Sequence, residues 1–472
     1  MNLKSALLSA TLSAALAGCA VGPDYARPGV PVSESYVSRD TLRATATRTD
    51  WWAQFGDPLL NRTVERALAG NQGVAQMQAR VERSRAAARA TGASLGPSIA
   101  FDASGARIRN SLGSPIGEIA HAVGAPREYG AYEGNIQASW ELDLFGRLRK
   151  TREAALADTR GALASEGALR LSVAAETADA YLALRGLQAR LDLAEARERT
   201  QRQWADLVAR RHGEGLAAER DLQVARAALA NARSEVAPLR TAIDGQLNRL
   251  DVLMGVPVGT YRAELAQTAD LPSTPEPSGS LTPADLLRHR PDVVAAEQQL
   301  VAANARIGAA LAEYYPSFTL AGTLGTANGG LSGLLESDTT QARGLLGLRW
   351  RLLDFGRVDA EVAGARGRTA EALAAYRERV LRAGEDVETA LSRYAYGRVE
   401  VRELEEAVAQ SQASRDRARR SYAEGALSLL EVLSADRELQ LSSDRLVSAR
   451  MQLARTCVTI FRALGGGWTE RS

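Results

Sequence analysis

The sequence predicts a mostly α chain with a membrane β-barrel portion, built as a tandem repeat of helix, β-hairpin, long helix, tight turn and return helix. Three observations carry this. Nearly the same phrase occurs twice, WELDLFGRLRK over 140–150 and WRLLDFGRVDA over 350–360, with Phe-Gly-Arg triplets 210 residues apart (355 − 145). Gly215 and Gly425, and Gly255 and Gly465, keep the same spacing, which marks an internal repeat. Upstream of each triplet the hydrophobic period is two; downstream comes a long run without proline.

Composition agrees. The 472 residues are rich in Ala, Leu, Arg and Glu, and only 5% are aromatic, the profile of long packed helices. A net charge of +2, from many charges of both signs, implies no nucleic acid or other polyanion as partner. Only two lysines occur, Lys4 and Lys150, which reads as codon bias toward arginine.

The N-terminus has a short basic start and an apolar run, Ser5–Ala17, too short to span a bilayer. It ends Leu-Ala-Gly-Cys at Cys19. Residues 1–18 are expected to be a removed signal peptide and 19–56 an irregular segment. The only other cysteine is Cys457, so no intramolecular disulfide remains if Cys19 is acylated.

The first repeat, 57–255, opens at Asp57-Pro58, an N-cap followed by proline at the first helical position. Helical periodicity runs on to about Ala93, and Pro97 closes it. Strands follow near 98–108 and 130–143, where Glu133, Asn135, Gln137 and Ser139 alternate with Gly134, Ile136, Ala138 and Trp140. From about Arg147 to His212 no proline interrupts, roughly 100 Å of helix at 1.5 Å per residue. Leu184, Leu187, Leu191 and Ala194 fall there at heptad spacing. A glycine turn at Gly213–Gly215 leads into a return helix to about Leu253, which Pro238 should kink.

A proline-bearing linker, 256–281, joins the copies. The second repeat, 282–465, starts at Thr282-Pro283 and continues through Arg290-Pro291-Asp292-Val293 to about Ala312. Strands near 316–326 and 342–353, a long helix, the turn at Gly425 and a return helix to Leu464 follow, and 466–472 is a tail. Pro97 and Pro316 lie 219 apart (316 − 97), so the first copy holds nine extra residues before Trp140, where a loop lengthens most easily.

Four amphipathic strands cannot lie in a bilayer alone, because open edges leave backbone groups unsatisfied in lipid. They must close with strands of other chains: two chains give eight strands, a filled barrel, and three give twelve, with room for a pore. A soluble helical protein with two surface hairpins explains neither the repetition nor why Ile136, Trp140, Phe318 and Leu320 share one face.

The whole mature chain resembles the TolC-like outer-membrane efflux channels, in particular the lipoprotein branch that serves resistance-nodulation-division (RND) pumps. The resemblance rests on Cys19-Ala-Val-Gly-Pro-Asp-Tyr, on Trp51-Trp52 with Phe55-Gly-Asp-Pro58, on Glu141-Leu-Asp-Leu-Phe-Gly-Arg147 and on Arg290-Pro-Asp-Val293, in this order within this repeat. It implies lipidation of Cys19 and a homotrimer whose twelve-stranded barrel in the outer membrane continues into a twelve-helix periplasmic tunnel. Strand-to-helix junctions would then be Asp143, Phe145, Gly146 and Arg147, and again Asp354, Phe355, Gly356 and Arg357. The expected function is an exit duct for small molecules, working with a periplasmic adaptor and an inner-membrane RND-type transporter. A protein-secretion duct and a lipid-anchored periplasmic coiled coil are the competing readings.

No enzyme is expected. His121, His212 and His289 are scattered, no metal-ligand spacing occurs, and no nucleophile elbow or phosphate loop is present, so neither metal nor cofactor is implied. By resemblance, Gly215, Leu216, Gly425, Ala426 and Leu427 would meet the adaptor, and Asp221, Tyr422, Leu430, Glu431 and Ser434 would form a periplasmic gate. Ser434 departs from a family pattern that often carries Asp there. Gly215 and Gly425 also read as plain helix C-cap glycines.

Overall fold

The computed structural model describes residues 21–31, 33, 35–37, 49–276, 282, 284, 289–466 and 468. Cys19, the signal peptide and most of the C-terminal tail lie outside the described residues, as does the start expected at Pro283-Ala284-Asp285 except for Ala284. The helices are α1 (Pro58–Gly70), α2 (Gln72–Ala93), α3 (Pro115–Ala122), α4 (Arg147–Gly213), α5 (Glu219–Leu253), α6 (Arg262–Leu265), α7 (Pro291–Leu311), α8 (Arg357–Ala423) and α9 (Leu429–Ala463). The strands are β1 (Ser98–Arg109), β2 (Glu128–Leu142), β3 (Ser317–Asn328) and β4 (Thr340–Arg349). Among the described residues no helix is long and apolar enough to cross a membrane.

The chain forms two compact units. One comprises 1–28, 82–161 and 296–375 and contains the sheet, antiparallel in the order β1-β2-β3-β4. The extra length of the first copy is housed in the β1–β2 loop, where Ser114 accepts from the Gly117 amide and starts α3. Residues 21–27 strap this unit. The Val21 amide donates to the Phe145 carbonyl at 3.2 Å, Asn304 reaches the Pro23 carbonyl at 3.1 Å, and Arg27 pairs with Glu297. Lys150 is buried and meets Glu153 at 3.0 Å and Asp24 at 3.4 Å. Asp24 thus uses one of the chain's two lysines.

The other unit comprises 29–81, 162–295 and 376–472. Its core gathers Trp51, Phe55, Leu60, Val64, Tyr181, Leu184, Leu250 and Phe461. Trp51 is wholly buried and stacks on Phe461 with centroids 5.3 Å apart. Asp57 caps α1 by accepting from Leu59 and Leu60 at 2.8 and 3.2 Å, and its other oxygen accepts from the Tyr181 hydroxyl at 2.6 Å. That hydroxyl accepts in turn from buried Arg185, whose remaining donors reach Gln188 and the Gln267 carbonyl. A buried cation with its donors satisfied is the condition for tolerating it.

The expected single helix over 58–93 is instead two, broken at Asn71. The Asn71 side chain accepts from the Gly73 and Val74 amides and donates to the Leu253 carbonyl at 2.9 Å, capping α2 and tying it to the return helix α5. Arg290 holds the matching place 219 residues on. It donates to the Ala463 carbonyl at 3.2 Å, and Ala463 is Leu253 advanced by 210. The helix α5 continues through Pro238 as a single element.

Candidate functional site

Three places recur in both copies: the sheet, the strand-to-helix junctions and the helical turns. In the sheet, alternation sorts the faces. One face carries Ile99, Phe101, Ile136, Trp140, Leu142, Phe318, Leu320, Leu324, Leu346 and Leu348, most of them exposed in the chain. The other carries Asp102, Ser104, Glu133, Asn135, Gln137, Thr319, Thr323, Gln341, Arg343 and Arg349. Such a sheet presents one face to lipid and one to water.

At the first junction the Asp143 carboxylate accepts from the Leu148 and Arg149 amides at 3.0 and 2.8 Å, closing orphan donors of α4. Gly146 sits at φ +84°, a conformation costly for residues with a Cβ. Arg147 forks onto both Glu141 oxygens at 2.8 Å, and Phe145 stacks on Tyr315 with centroids 4.7 Å apart. The second junction repeats the cap. Asp354 accepts from Gly356 and Val358 at 3.2 and 3.0 Å, and Gly356 lies at φ +81°. Its environment differs: Arg357 meets Glu361 at 3.2 Å, and Phe355 is 93% exposed. Phe355 is also the single non-glycine at positive φ among the described residues. Tryptophans anchor both strand ends in the same way, Trp140 to the Leu95 carbonyl and Trp350 to the Tyr314 carbonyl, each at 2.9 Å.

The turns are also matched. The Gly215 amide donates to His212 and the Leu216 amide to Arg211; the Gly425 amide donates to Tyr422 and the Ala426 amide to Ser421. With φ of +75° and +79°, both are Schellman caps, so the glycines have a structural role of their own. Leu216 is 65% exposed beside the first turn, and Gly425 and Ala426 are exposed at the second, with Leu427 half-buried.

The candidate gate residues separate by partner. The Tyr422 hydroxyl accepts from Arg211 of α4 at 2.6 Å, and its ring meets Trp204 edge-on. Glu431 is occupied locally in a capping box with Ser428, and those hydrogen bonds hold its carboxyl below the usual glutamate range. Asp221 lies exposed in the first turn of α5, and Leu430 and Ser434 are exposed on α9. Sequence reasoning missed Asp436, buried one turn beyond Val432. It accepts from Arg419 of α8 at 2.9 Å and from the Trp204 indole of α4 at 3.2 Å. An acid two residues past Ser434, on a helix with a buried stripe, was the available signal. No cluster of residues able to hold a metal ion occurs among the described residues.

The chain as a whole has known relatives. The family model described as outer membrane efflux protein matches residues 63–256 and 282–466, one segment per repeat. The toluene efflux pump outer membrane protein TtgF of Pseudomonas putida is 31% identical, covering 100% of this chain and 98% of its own. The cation efflux system protein CusC of Escherichia coli is 28% identical over 98% of this chain and 99% of its own. Among solved structures, the outer-membrane channel OprN superposes with a TM-score of 0.86 at 31% identity, covering 95% of this chain and 100% of that one.

Proposed function

Since the chain belongs to the outer membrane efflux protein family, we propose that it is the outer-membrane exit duct of a tripartite efflux system. Three copies form the duct, fed by an RND-type inner-membrane transporter through a periplasmic adaptor. The observation that carries this reading is the four-stranded sheet, with one apolar face, one polar face and two open edges, β1 and β4. Open edges in lipid leave backbone groups unpaired, and three sheets closed into a ring remove them and leave a pore. The polar faces then line water, and the long helices continue the duct into the periplasm. Lipid on Cys19 adds a second anchor.

The turns at Gly215-Leu216 and Gly425-Ala426-Leu427 present the surface for the adaptor. Beside them, Arg211 to Tyr422 and Asp436 to Arg419 and Trp204 tie α4 to α8 and α9 and hold the tip narrow at rest. Asp221, Leu430, Glu431 and Ser434 are exposed and act toward neighbouring copies. An adaptor that binds only the dilated tip shifts that population by no more than its differential affinity. Selection of cargo lies with the transporter.

Native mass spectrometry of the detergent-extracted protein tests the assembly. The expected mass is three mature chains, each starting at Cys19 and carrying lipid. A monomer stable in gentle detergents would leave four strands with open edges, and the duct reading would fall.

A further inference from the structure

The repeat fixes more than the fold: it predicts how one copy's sheet meets the next. Within the first hairpin Ser98 pairs with Ser139, and within the second Ser317 pairs with Arg349. Ser98 advanced by the proline offset of 219 is Ser317, and Ser139 advanced by the junction offset of 210 is Arg349. Both hairpins therefore share one register once the two offsets are applied. Between hairpins, β2 pairs with β3 through Leu142 and Phe318, Trp140 and Leu320, Ser139 and Ala321, and Gln137 and Thr323. Advancing the β2 members by 210 and moving the β3 members back by 219 gives the corresponding contact of β4 with β1. Those strands lie at opposite edges of the sheet and cannot meet within one chain.

Resting on the duct reading above, we propose that β4 pairs antiparallel with β1 of the next copy, with Arg349 opposite Asp102, Trp350 opposite Phe101, Leu352 opposite Ile99 and Gly347 opposite Ser104. Three independent features of the chain agree with this register. Face parity is kept, apolar residues meeting apolar and polar meeting polar; a slip of one residue would reverse every pair. Opposite charges face each other on the polar side, and neither the Asp102 nor the Arg349 side chain has an ion-pair partner among the described residues. A slip of two would set Arg349 against Ala100 or Ser104. Finally, β2 continues to Leu142 because β3 lies beside it there, whereas β4 stops at Arg349 and Trp350, Leu352 and Phe355 stay exposed. A neighbouring β1 supplies what β4 lacks.

Paired cysteines test the register. S104C with G347C places one thiol on each side of the seam on the polar face, and A103C with L348C does so on the apolar face. Antiparallel pairs alternate between close and wide spacing, so one of the two faces offers the close pair. A Cβ at Gly347 meets only the Thr319 carbonyl oxygen, at an ordinary 3.7 Å, and Cys457 is buried out of reach. Native mass under reducing conditions first establishes that each variant assembles. Mild oxidation should then move the chain from the monomer to the trimer band in SDS without reductant, for at least one of the two pairs. Each single cysteine variant and the slipped pair S104C with L345C should stay at the monomer. Cross-linking by the slipped pair instead, or by no pair in a trimer of intact mass, would overturn the register while leaving the duct standing. Loss of the trimer in the wild-type chain under the same extraction would overturn the duct reading itself, and the seam with it.

Discussion

The two junctions share a cap, a left-handed glycine and a tryptophan anchor, yet one is closed within the chain and the other is not. Phe145 lies on Tyr315 and Arg147 is held by Glu141, while Phe355 points outward with no ring beside it. The local geometry is what the residues themselves dictate, through an Asp that satisfies helix N-terminal donors and a Gly that accepts positive φ. The surroundings depend on which strand comes next, and in the proposed trimer the strand that follows the second copy belongs to another molecule. A repeat inside a ring makes local structure equal and interfaces unequal.

The largest break in this equivalence should come at the start of each repeat's core helix, where Arg290 replaces Asn71. Arg290 is buried and donates to Asp292 at 2.8 Å, Asp386 at 3.0 Å and the Ala463 carbonyl. Burial pushes the Asp292 carboxyl up, but the hydrogen bond and charge of Arg290, with Arg379 farther off, outweigh it and hold the carboxyl below its ordinary value. Arg290→Ala leaves that carboxylate only the more distant Arg379, at 3.9 Å, and the Val293 amide, and should cost about 3 kcal/mol. Asn71→Ala loses a neutral cap and should cost about 1 kcal/mol. Urea melts of the two variants in detergent check the ratio; equal losses would mean that the charge network adds nothing to the cap.

Substitution at the junctions sharpens the contrast. Phe145→Ala should lower protomer stability by about 1.5 kcal/mol through lost burial and stacking. Phe355→Ala should leave protomer stability unchanged and lower only the trimer's resistance to dissociation. Thermal melts set beside native mass spectra at graded detergent separate these effects. Equal protomer losses would mean that Phe355 has an intrachain role its exposure denies.

At the tips, Tyr422→Phe removes the acceptor for Arg211 and should cost about 1 kcal/mol. It should also raise resting conductance of the reconstituted channel, as should Asp436→Asn. Asp221→Ala, whose side chain meets no partner among the described residues, should raise conductance only if it pairs across copies. Unchanged conductance in all three would remove the gate from this end of the molecule.

Much of the fold was legible in the sequence because it is periodic. Alternation over 133–142 placed β2, the proline-free run placed α4, and glycines 210 apart placed both turns. What was not legible depends on pairing across long separations. Asn71 reads as one more polar helix residue until the Leu253 carbonyl is seen beside it. Asp436 is one acid among the 56 acidic residues until Trp204 and Arg419 converge on it. Phe145 and Phe355 are each followed by Gly-Arg, and neither Leu144 nor Asp354 before them says which ring will be covered.

The smallest effect compares the starts of the two return helices. Ser428 caps α9 with Glu431 in a reciprocal box, whereas Ala218 at the start of α5 offers no side-chain cap, and Glu219 there meets His212 at 3.1 Å. Backbone and side-chain hydrogen bonds from Ser428 hold the Glu431 carboxyl below the glutamate range. A depressed folded-state value means that the stabilisation is complete above the unfolded glutamate value, about pH 4.3, and is lost as pH falls through the folded one. Below about pH 4, amides 429–432 of the wild-type chain should therefore exchange faster relative to those of Glu431→Gln, whose amide side chain does not titrate. The comparison holds pH fixed and cancels the intrinsic exchange rate, so an identical ratio at pH 3.5 and pH 6 would mean that the capping box does not hold the second tip.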